Sequence, residues 1–528
     1  MADPRRPSTR ATILRLMGWA GGGLLVLFIA LVFLPWLLTQ RPQHNLNAEQ
    51  ELKAKNDVRT TLIQTLAGIA VASGVIVTFH TYRRNQVEQD RNYQQRQDEQ
   101  DRTYERDLYA NAIEQLGHTQ APVRLGALYS LEALAQDRPD RRQMVVDVLC
   151  AYLRMPNPPP ARPNPGDRVE AGRQKPIAIP PPAHDPEELQ VRQTAQRLLA
   201  SHLRPPPNTS PKDAQRLPAS AEQTFWPAIS IDLTGATLVE FDFSSGSLVQ
   251  GHFRRATFEG DAEFTGAAFE GDAEFTEAIF EDVARFIEAT FEGATWFGGA
   301  TYKGATWFGG AIFEGPTWFG DATFEGSVSF GGATYKGAAG FPRATFSGDA
   351  SFDEATFSGS AGFHRATFKG AAGFHRATFS GAPSFDEATF EGPASFDGAT
   401  FKGPASFLGV IYKGAAGFHR ATFSGTALFG EATFEGDASF GGATFSGAAH
   451  FGEATFEESV SFDGAKVLHL DDPDLNRGRS WPSWWIVRRD PVDPTHGELV
   501  PISQPTARPA RSRFDPSGES SGRDAGSR

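Results

Sequence analysis

The chain has 528 residues, a formal net charge of −13, and 43 Phe and 54 Gly against only 9 Tyr and 4 Met. The lone Cys150 excludes a disulfide framework and a cysteine-built zinc site, and the acidic balance argues against direct nucleic-acid binding. An ordinary core mixes Leu, Ile, Val and Phe, so a chain this rich in Phe fills one kind of slot many times, as a repeat protein does.

Residues 1–11 carry Arg5, Arg6 and Arg10 and read as a short cytoplasmic N-terminus. Residues 12–38 are the first expected membrane span: Leu16 to Leu38 gives 23 residues without a charge, enough to cross ~30 Å of hydrocarbon. That run exceeds the apolar core of a cleaved signal peptide, and no Ala-x-Ala site follows. Residues 61–79 also lack charge and are the expected second span, though Gln64 and Ser73 make it more polar. Arg83, Arg84 and Arg91 follow it, so the positive residues favour both ends inside and residues 39–60 as an external loop. Gly18-x-x-x-Gly22 and Gly68-x-x-x-Ala72 would let two such helices approach closely.

Residues 80–107 are dense in Arg, Gln, Asp and Glu and read as a polar helical stalk. Positions a and d there would be mostly polar, which argues against a coiled coil. Residues 108–155 form a helical module, with Val123, Ala127, Leu128, Leu131, Leu134 and Ala135 at helical spacing, followed by Met144, Val145, Val148, Leu149, Tyr152 and Leu153. Residues 156–186 are a Pro-rich linker without periodicity. Residues 187–204 are an amphipathic helix introduced by Asp185-Pro186-Glu187-Glu188, with a stripe of Val191, Ala195, Leu198 and Leu199.

From 225 to 466 one lattice takes over. Large apolar residues recur every five at Leu233, Leu238, Phe243, Leu248, Phe253 and Phe258; the step then alternates six and five to Phe462 without a slip. From Phe253 this gives 39 positions, 36 Phe and three Tyr (Tyr302, Tyr335, Tyr412), and Ala stands two residues earlier in 31 of the 39. A helix would not bring steps of five and six onto one stripe. A coil of short strands would: the ring at i and the small residue at i−2 point inward, and i−1, i+1 and i+2 face water. Gly stands at i+2 in 17 of the 19 Ala-Thr-Phe-type units, which suggests turns with unusual dihedrals.

Ile231-Asp232-Leu233-Thr234-Gly235, Ala236-Thr237-Leu238-Val239-Glu240 and Phe241-Asp242-Phe243-Ser244-Ser245 resemble the pentapeptide-repeat family: a small residue, a polar residue, Leu or Phe, then two polar positions. The resemblance implies a mainly β fold, a right-handed quadrilateral β-helix, here after two transmembrane helices and a small α-helical module. Two departures stand out: Phe dominates over Leu, and every second unit carries an extra residue, giving a coil of 22. The order of Ala112–Gly117, Val123–Ala135 and Val148–Arg154 ahead of the repeats also looks like membrane-anchored, multi-domain proteins of this family from actinobacteria. Stacked rings need both ends covered. Phe225, Trp226 and the first five-residue coil are expected to cap one end, and residues 467–500, with Val467, Leu468, Leu470 and Trp481–Val487, the other. Residues 501–528 read as a disordered tail.

Residues 253–463 hold 28 Asp plus Glu and 12 Lys plus Arg, and 11 of the acids lie between Glu259 and Glu292 with Arg285 alone among them. The expected partner-binding surface therefore comprises Glu259, Asp261, Glu263, Glu270, Asp272 and Glu274, together with Trp296, Trp307 and Trp318, each at an outward i−1 position. The Trp residues step by 11, half a coil, so Trp296 and Trp318 should share one side and Trp307 the opposite one. His364-Arg365, His375-Arg376 and His419-Arg420 are outward pairs that duplication of one unit explains. Neither a nucleophile elbow, a phosphate loop, a metal-spaced His cluster nor a dinucleotide fingerprint stands in suitable context, so no enzyme and no cofactor is implied. The expected function is a membrane-anchored scaffold in the cell membrane, its repeats cytoplasmic, binding the bilayer and an unidentified protein partner, with a homo-oligomer open. Family members that protect topoisomerases imitate duplex DNA, so a DNA-mimicking regulator is one alternative. A mechanical spacer without a partner is another.

Overall fold

The computed structural model describes residues 29, 33, 36, 37, 48–156 and 185–502. Residues 1–11, nearly all of the expected first span, most of the Pro-rich linker and the tail beyond 502 lie outside them. The chain divides into two units, residues 1–106 and 107–528.

The first unit contains most of α1, Ala48–Leu116, a single helix of 69 residues. It runs through 48–60, part of the expected external loop. It also contains the expected second span, 61–79; no helix among the described residues is long and apolar enough to cross a membrane, so the expectation finds no support in the structure. The Thr61, Thr65 and Thr78 hydroxyls donate to carbonyls one helical turn back.

In the second unit, α2 (Ala121–Asp137), α3 (Arg142–Arg154) and α4 (Pro186–His202) bury Leu128, Leu131, Val145, Val146, Leu149, Leu153, Val191, Ala195 and Leu199 against one another. Asp185 caps α4, its carboxylate accepting from the Glu187 amide at 3.0 Å. The free thiol of Cys150 sits in this core, and burial pushes it up to about 12.

Residues 230–467 form a β-solenoid of about 11 turns. Two- and three-residue strands stack into four parallel sheets, called here faces 1 to 4 in the order the chain visits them. Face 1 runs from Ser230–Asp232 through Gln250–His252 and Ala273–Glu274. Face 2 starts at Thr237–Val239, face 3 at Ala262–Glu263 and face 4 at Ser247–Leu248. Isolated bridges through Ser384 join the two runs of face 1 strands. The first rungs keep a strict five-residue step, pairing Thr237 with Thr257, whereas later rungs pair Thr345 with Thr367. The extra residue in every second unit thus lengthens each coil by two.

The alternation in sequence becomes alternation in burial. Ala at i−2 and the ring at i are buried along the stack up to the last rung, where Ala454 and Phe456 are partly exposed. From Phe253 on, each ring lies nearly parallel to the ring one coil on: Phe341 to Phe363 at 4.8 Å and 2°, Phe363 to Phe385 at 4.7 Å and 1°. Rings of faces 1 and 3 meet edge to face, Phe352 to Phe363 at 5.3 Å and 87°. Four columns of offset rings therefore fill the interior, locked by T-shaped contacts between opposite columns. The Tyr302, Tyr335 and Tyr412 hydroxyls enter the same columns and find no hydrogen-bond partner; burial drives them far above the usual phenol range.

The glycines divide into two sets, and the expectation for the first is corrected. Those two residues after the Ala-Thr-Phe-type segments are small because successive coils touch there. A Cβ on Gly359 would sit 2.4 Å from the Gly337 carbonyl oxygen, and one on Gly381 2.5 Å from that of Gly359. Of this set only Gly260 has positive φ. The left-handed turns instead fall two residues after the rings of faces 1 and 3, a position held by Gly266, Gly299, Gly310 and Gly332 but also by Arg255, Glu277, Glu288, Asp321, Arg343 and Glu354.

Both ends are covered. At the first rung, side-chain amides of the helices take the place of a missing strand. Gln143 of α3 donates to the Ser230 carbonyl at 2.8 Å and accepts from its amide at 3.0 Å. Gln196 of α4 does the same for Val239, at 2.9 and 3.1 Å. Arg154 pairs with Asp232, and the Ser247 amide donates to the Leu203 carbonyl at 2.7 Å. Trp226 lies between the stacked ring of His202, 3.9 Å away, and the Arg142 guanidinium at 5.6 Å. At the other end face 4 gains two antiparallel strands, Gly497–Pro501 and Trp485–Arg489. Trp481 meets Phe445 at 5.2 Å and Trp485 meets Phe462 at 5.4 Å.

Two stability outcomes follow, both read as the midpoint of denaturant unfolding. Gly359→Ala, which forces backbone apart, costs more than about 2 kcal/mol. Gly332→Ala, at φ 67° with nothing within 4 Å of the added carbon, costs about 1 kcal/mol; a reversed order would contradict the two roles. Tyr302→Phe, Tyr335→Phe and Tyr412→Phe each raise stability by about 1 kcal/mol, because an unpaired buried hydroxyl is removed without a change of shape.

Candidate interaction surface

Everything the solenoid shows to solvent comes from the positions i−1, i+1 and i+2 around each ring, so its surface is a set of columns with a rung spacing of about 4.8 Å. On face 1 the i−1 column reads His252, Glu274, Trp296, Trp318, Gly340 and Gly362. Trp296 and Trp318 pair in register on adjacent strands and are 38% and 46% exposed. The Trp318 ring lies across bare backbone: a Cβ at Gly320 would fall 2.4 Å from its Nε1, and one at Gly340 2.7 Å from its Cε3. Trp307 stands on face 3, between Arg285 and Ser329, and is 44% exposed. The three Trp residues thus form a pair on one face and a single residue on the opposite one. Thr295, Thr306 and Thr317 precede them at the inward position that Ala usually holds.

The acidic columns are less bare than their sequence suggests. Arg285 reaches Asp261 at 3.0 Å and also pairs with Glu263. His252 Nδ1 lies 3.5 Å from Glu274, and the Asp272 carboxylate accepts from the Ala294 amide at 3.1 Å. Glu259 and Glu270 also have partners. Further along, Lys303 meets Glu281 at 2.7 Å, Lys336 meets Glu314 at 2.6 Å and Lys413 meets Glu391 at 3.5 Å. Each of these Lys residues finds its acid one coil away. Sequence reading counted acids against bases along the chain and so missed the pairing. The signal was present as opposite charges one coil apart, as at Glu281 and Lys303.

The same ladder runs through the left-handed turns. Arg255 pairs with Glu277 at 2.5 Å and Arg365 with Glu387 at 2.7 Å; Arg343 makes two bonds of 2.6 Å to Asp321. Where the next turn is glycine, the charged stem lies beneath it, as Arg376 Cγ does 3.5 Å from the Cβ position of Gly398. Arg365 and Arg376 of the His-Arg pairs belong to this ladder, Arg376 reaching Glu354 at 3.8 Å. His375 and His419 donate their backbone amides to Asp353 and Asp397 at 2.8 and 2.9 Å. These residues stitch coil to coil. Among the described residues no group of His, Cys, Asp and Glu has metal-binding geometry.

A shallow groove of about 390 Å³ crosses face 3, floored by Gly373, Ser395 and Gly417 and edged by Asp397, His419 and Ser439. A second hollow of about 700 Å³ lies against the C-terminal strands, beside Lys466, Arg488 and Glu498. Arg488 and Glu498 pair with each other at 3.4 Å.

Arg343 holds the Asp321 carboxyl below its ordinary 3.8. A depressed carboxylate contributes stability that is fully present above its unfolded value and is lost as pH falls through the folded one. Unfolding followed against pH therefore shows a loss below about pH 4, and Asp321→Asn removes its share of that slope. An identical acid limb in the variant would contradict the role given to the pair.

A family model described as pentapeptide repeats (9 copies) matches residues 250–290, 286–334, 336–378, 374–422 and 418–466. No curated protein and no solved structure matches the chain.

Proposed function

We propose that residues 250–466, which are pentapeptide repeats stacked as a β-helix, act without catalysis as a protein-interaction module, and that Trp296 and Trp318 on face 1 are the centre of its docking surface. The observation that carries this reading is the pairing of two large, exposed aromatic side chains on adjacent rungs, one of them lying flat over glycine backbone. Rigid aromatic anchors of this kind dominate binding energy at interfaces. The tether in this reading is the uncharged run 16–38, a claim that rests on its length and composition alone. It would place the module at the cell membrane, facing membrane or envelope proteins.

The DNA-mimic alternative draws less support. A duplex mimic presents continuous, uncompensated negative charge, whereas the acids of these columns are repeatedly paired with Arg and Lys one coil away. A spacer without a partner would have no use for exposed Trp.

The test is photo-cross-linking from face 1 of the full chain in intact cells, comparing wild type with the double variant Trp296→Ala, Trp318→Ala. The expected result is a discrete protein adduct that falls at least about tenfold, equivalent to ~1.4 kcal/mol, while thermal unfolding is unchanged. An undiminished adduct would move the surface elsewhere. No adduct at all would favour the spacer. An adduct to a topoisomerase that duplex DNA competes away with steep salt dependence would favour the mimic.

A further inference from the structure

The second half of α1 carries a repeat of its own. Tyr82, Tyr93 and Tyr104 are spaced by 11, and so are Gln86 and Gln97, Glu88 and Glu99, Gln89 and Gln100, Asp90 and Asp101, and Arg91 and Arg102. At about 3.6 residues per turn this step makes close to three whole turns, so the three Tyr fall on one stripe. Gln86 and Gln97 follow their Tyr by one turn, Gln89 and Gln100 by two, and the two sets lie to either side of the stripe. Reading the stalk in heptads hides this register.

Every residue from 81 to 97 is exposed, and Tyr82, Tyr93 and Tyr104 are 60%, 65% and 69% exposed. The rings are nevertheless held along the stripe: Gln86 donates to the Tyr82 hydroxyl at 2.9 Å and Gln97 to that of Tyr93 at 3.2 Å. Toward the N-terminus the same stripe carries Val71 and Val75, 68% and 63% exposed. Its flanks are oppositely charged, Asp90 on one side and Arg96 on the other. When two copies lie parallel and in register, Arg96 of each meets Asp90 of the other, a self-complementary arrangement.

We propose that the Tyr82–Tyr93–Tyr104 stripe of α1 joins a second copy of this chain in a parallel, in-register coiled coil that follows the Tyr step. A repeat of this length gives a right-handed supercoil. The proposal is independent of what the Trp face of the solenoid binds, and it gives a long polar helix the lateral contacts that a solitary one lacks.

The test uses the full chain in mild detergent. Tyr93→Cys places a thiol on the stripe, and Arg91→Cys places one on the opposite side of the helix; the native Cys150 is buried. Under mild oxidation Tyr93→Cys should form a covalent dimer at least tenfold faster than Arg91→Cys. Light scattering should give the wild type a protein mass of at least two chains. The triple variant Tyr82→Asp, Tyr93→Asp, Tyr104→Asp should fall to one chain while the solenoid melts at an unchanged temperature. Equal cross-linking at 91 and 93, a wild type of one chain, or a triple variant that stays assembled would each overturn the proposal. So would an assembly that never cross-links at 93, because it would place the helices antiparallel or out of register.

Discussion

The stacking of each interior ring on the ring one coil away sets most of what this chain does with its residues. A separation of 4.5 to 5.1 Å between near-parallel rings is close to the spacing of paired strands, so hydrogen bonding and ring packing call for the same rise per coil. That agreement explains why Phe, flat and rigid, fills nearly every slot. The residue two positions earlier must also point inward where four columns leave little room, and Ala fits. Close contact between coils at two of the corners then leaves no space for a Cβ, and glycine occupies those positions from Gly293 to Gly447.

The outside follows from the same geometry. Identical positions recur directly above one another, so a charge at one turn meets whatever stands at that turn in the next coil. Arg255–Glu277, Asp321–Arg343 and Arg365–Glu387 use this to place opposite charges side by side at turns that L-residues otherwise enter at a cost. Individually such exposed pairs contribute little. A solenoid also has two open ends, and this one closes them by different means. The helices present Gln143 and Gln196 as stand-ins for a peptide edge, while the C-terminal segment continues face 4 with two real strands and roofs the last rings with Trp481 and Trp485.

The repeat was legible in the sequence because one residue type marks every inward position, and the 5/6 step of Phe253 to Phe462 yields the length of the coil without further information. The Trp296–Trp318 pairing was legible for the same reason. The two kinds of glycine were not separable, because close approach and positive φ leave the same letter; only the Arg and Glu at the second set reveal that those turns tolerate a side chain. Two Gln side chains pairing with a strand edge leave no periodic trace, so the docking of the helices on the first rung could not be read.

Substituting one central ring tests the stacked interior most directly. Phe363 is fully buried and touches Phe341, Phe385, Phe352 and Phe374 at 4.7 to 5.5 Å. Denaturant unfolding of Phe363→Ala in the full chain should show a loss of about 3–5 kcal/mol, with the neighbouring Thr367→Ala on the outer surface within about 0.5 kcal/mol of wild type. A Phe363→Ala protein as stable as the wild type would mean that the rings do not form the core.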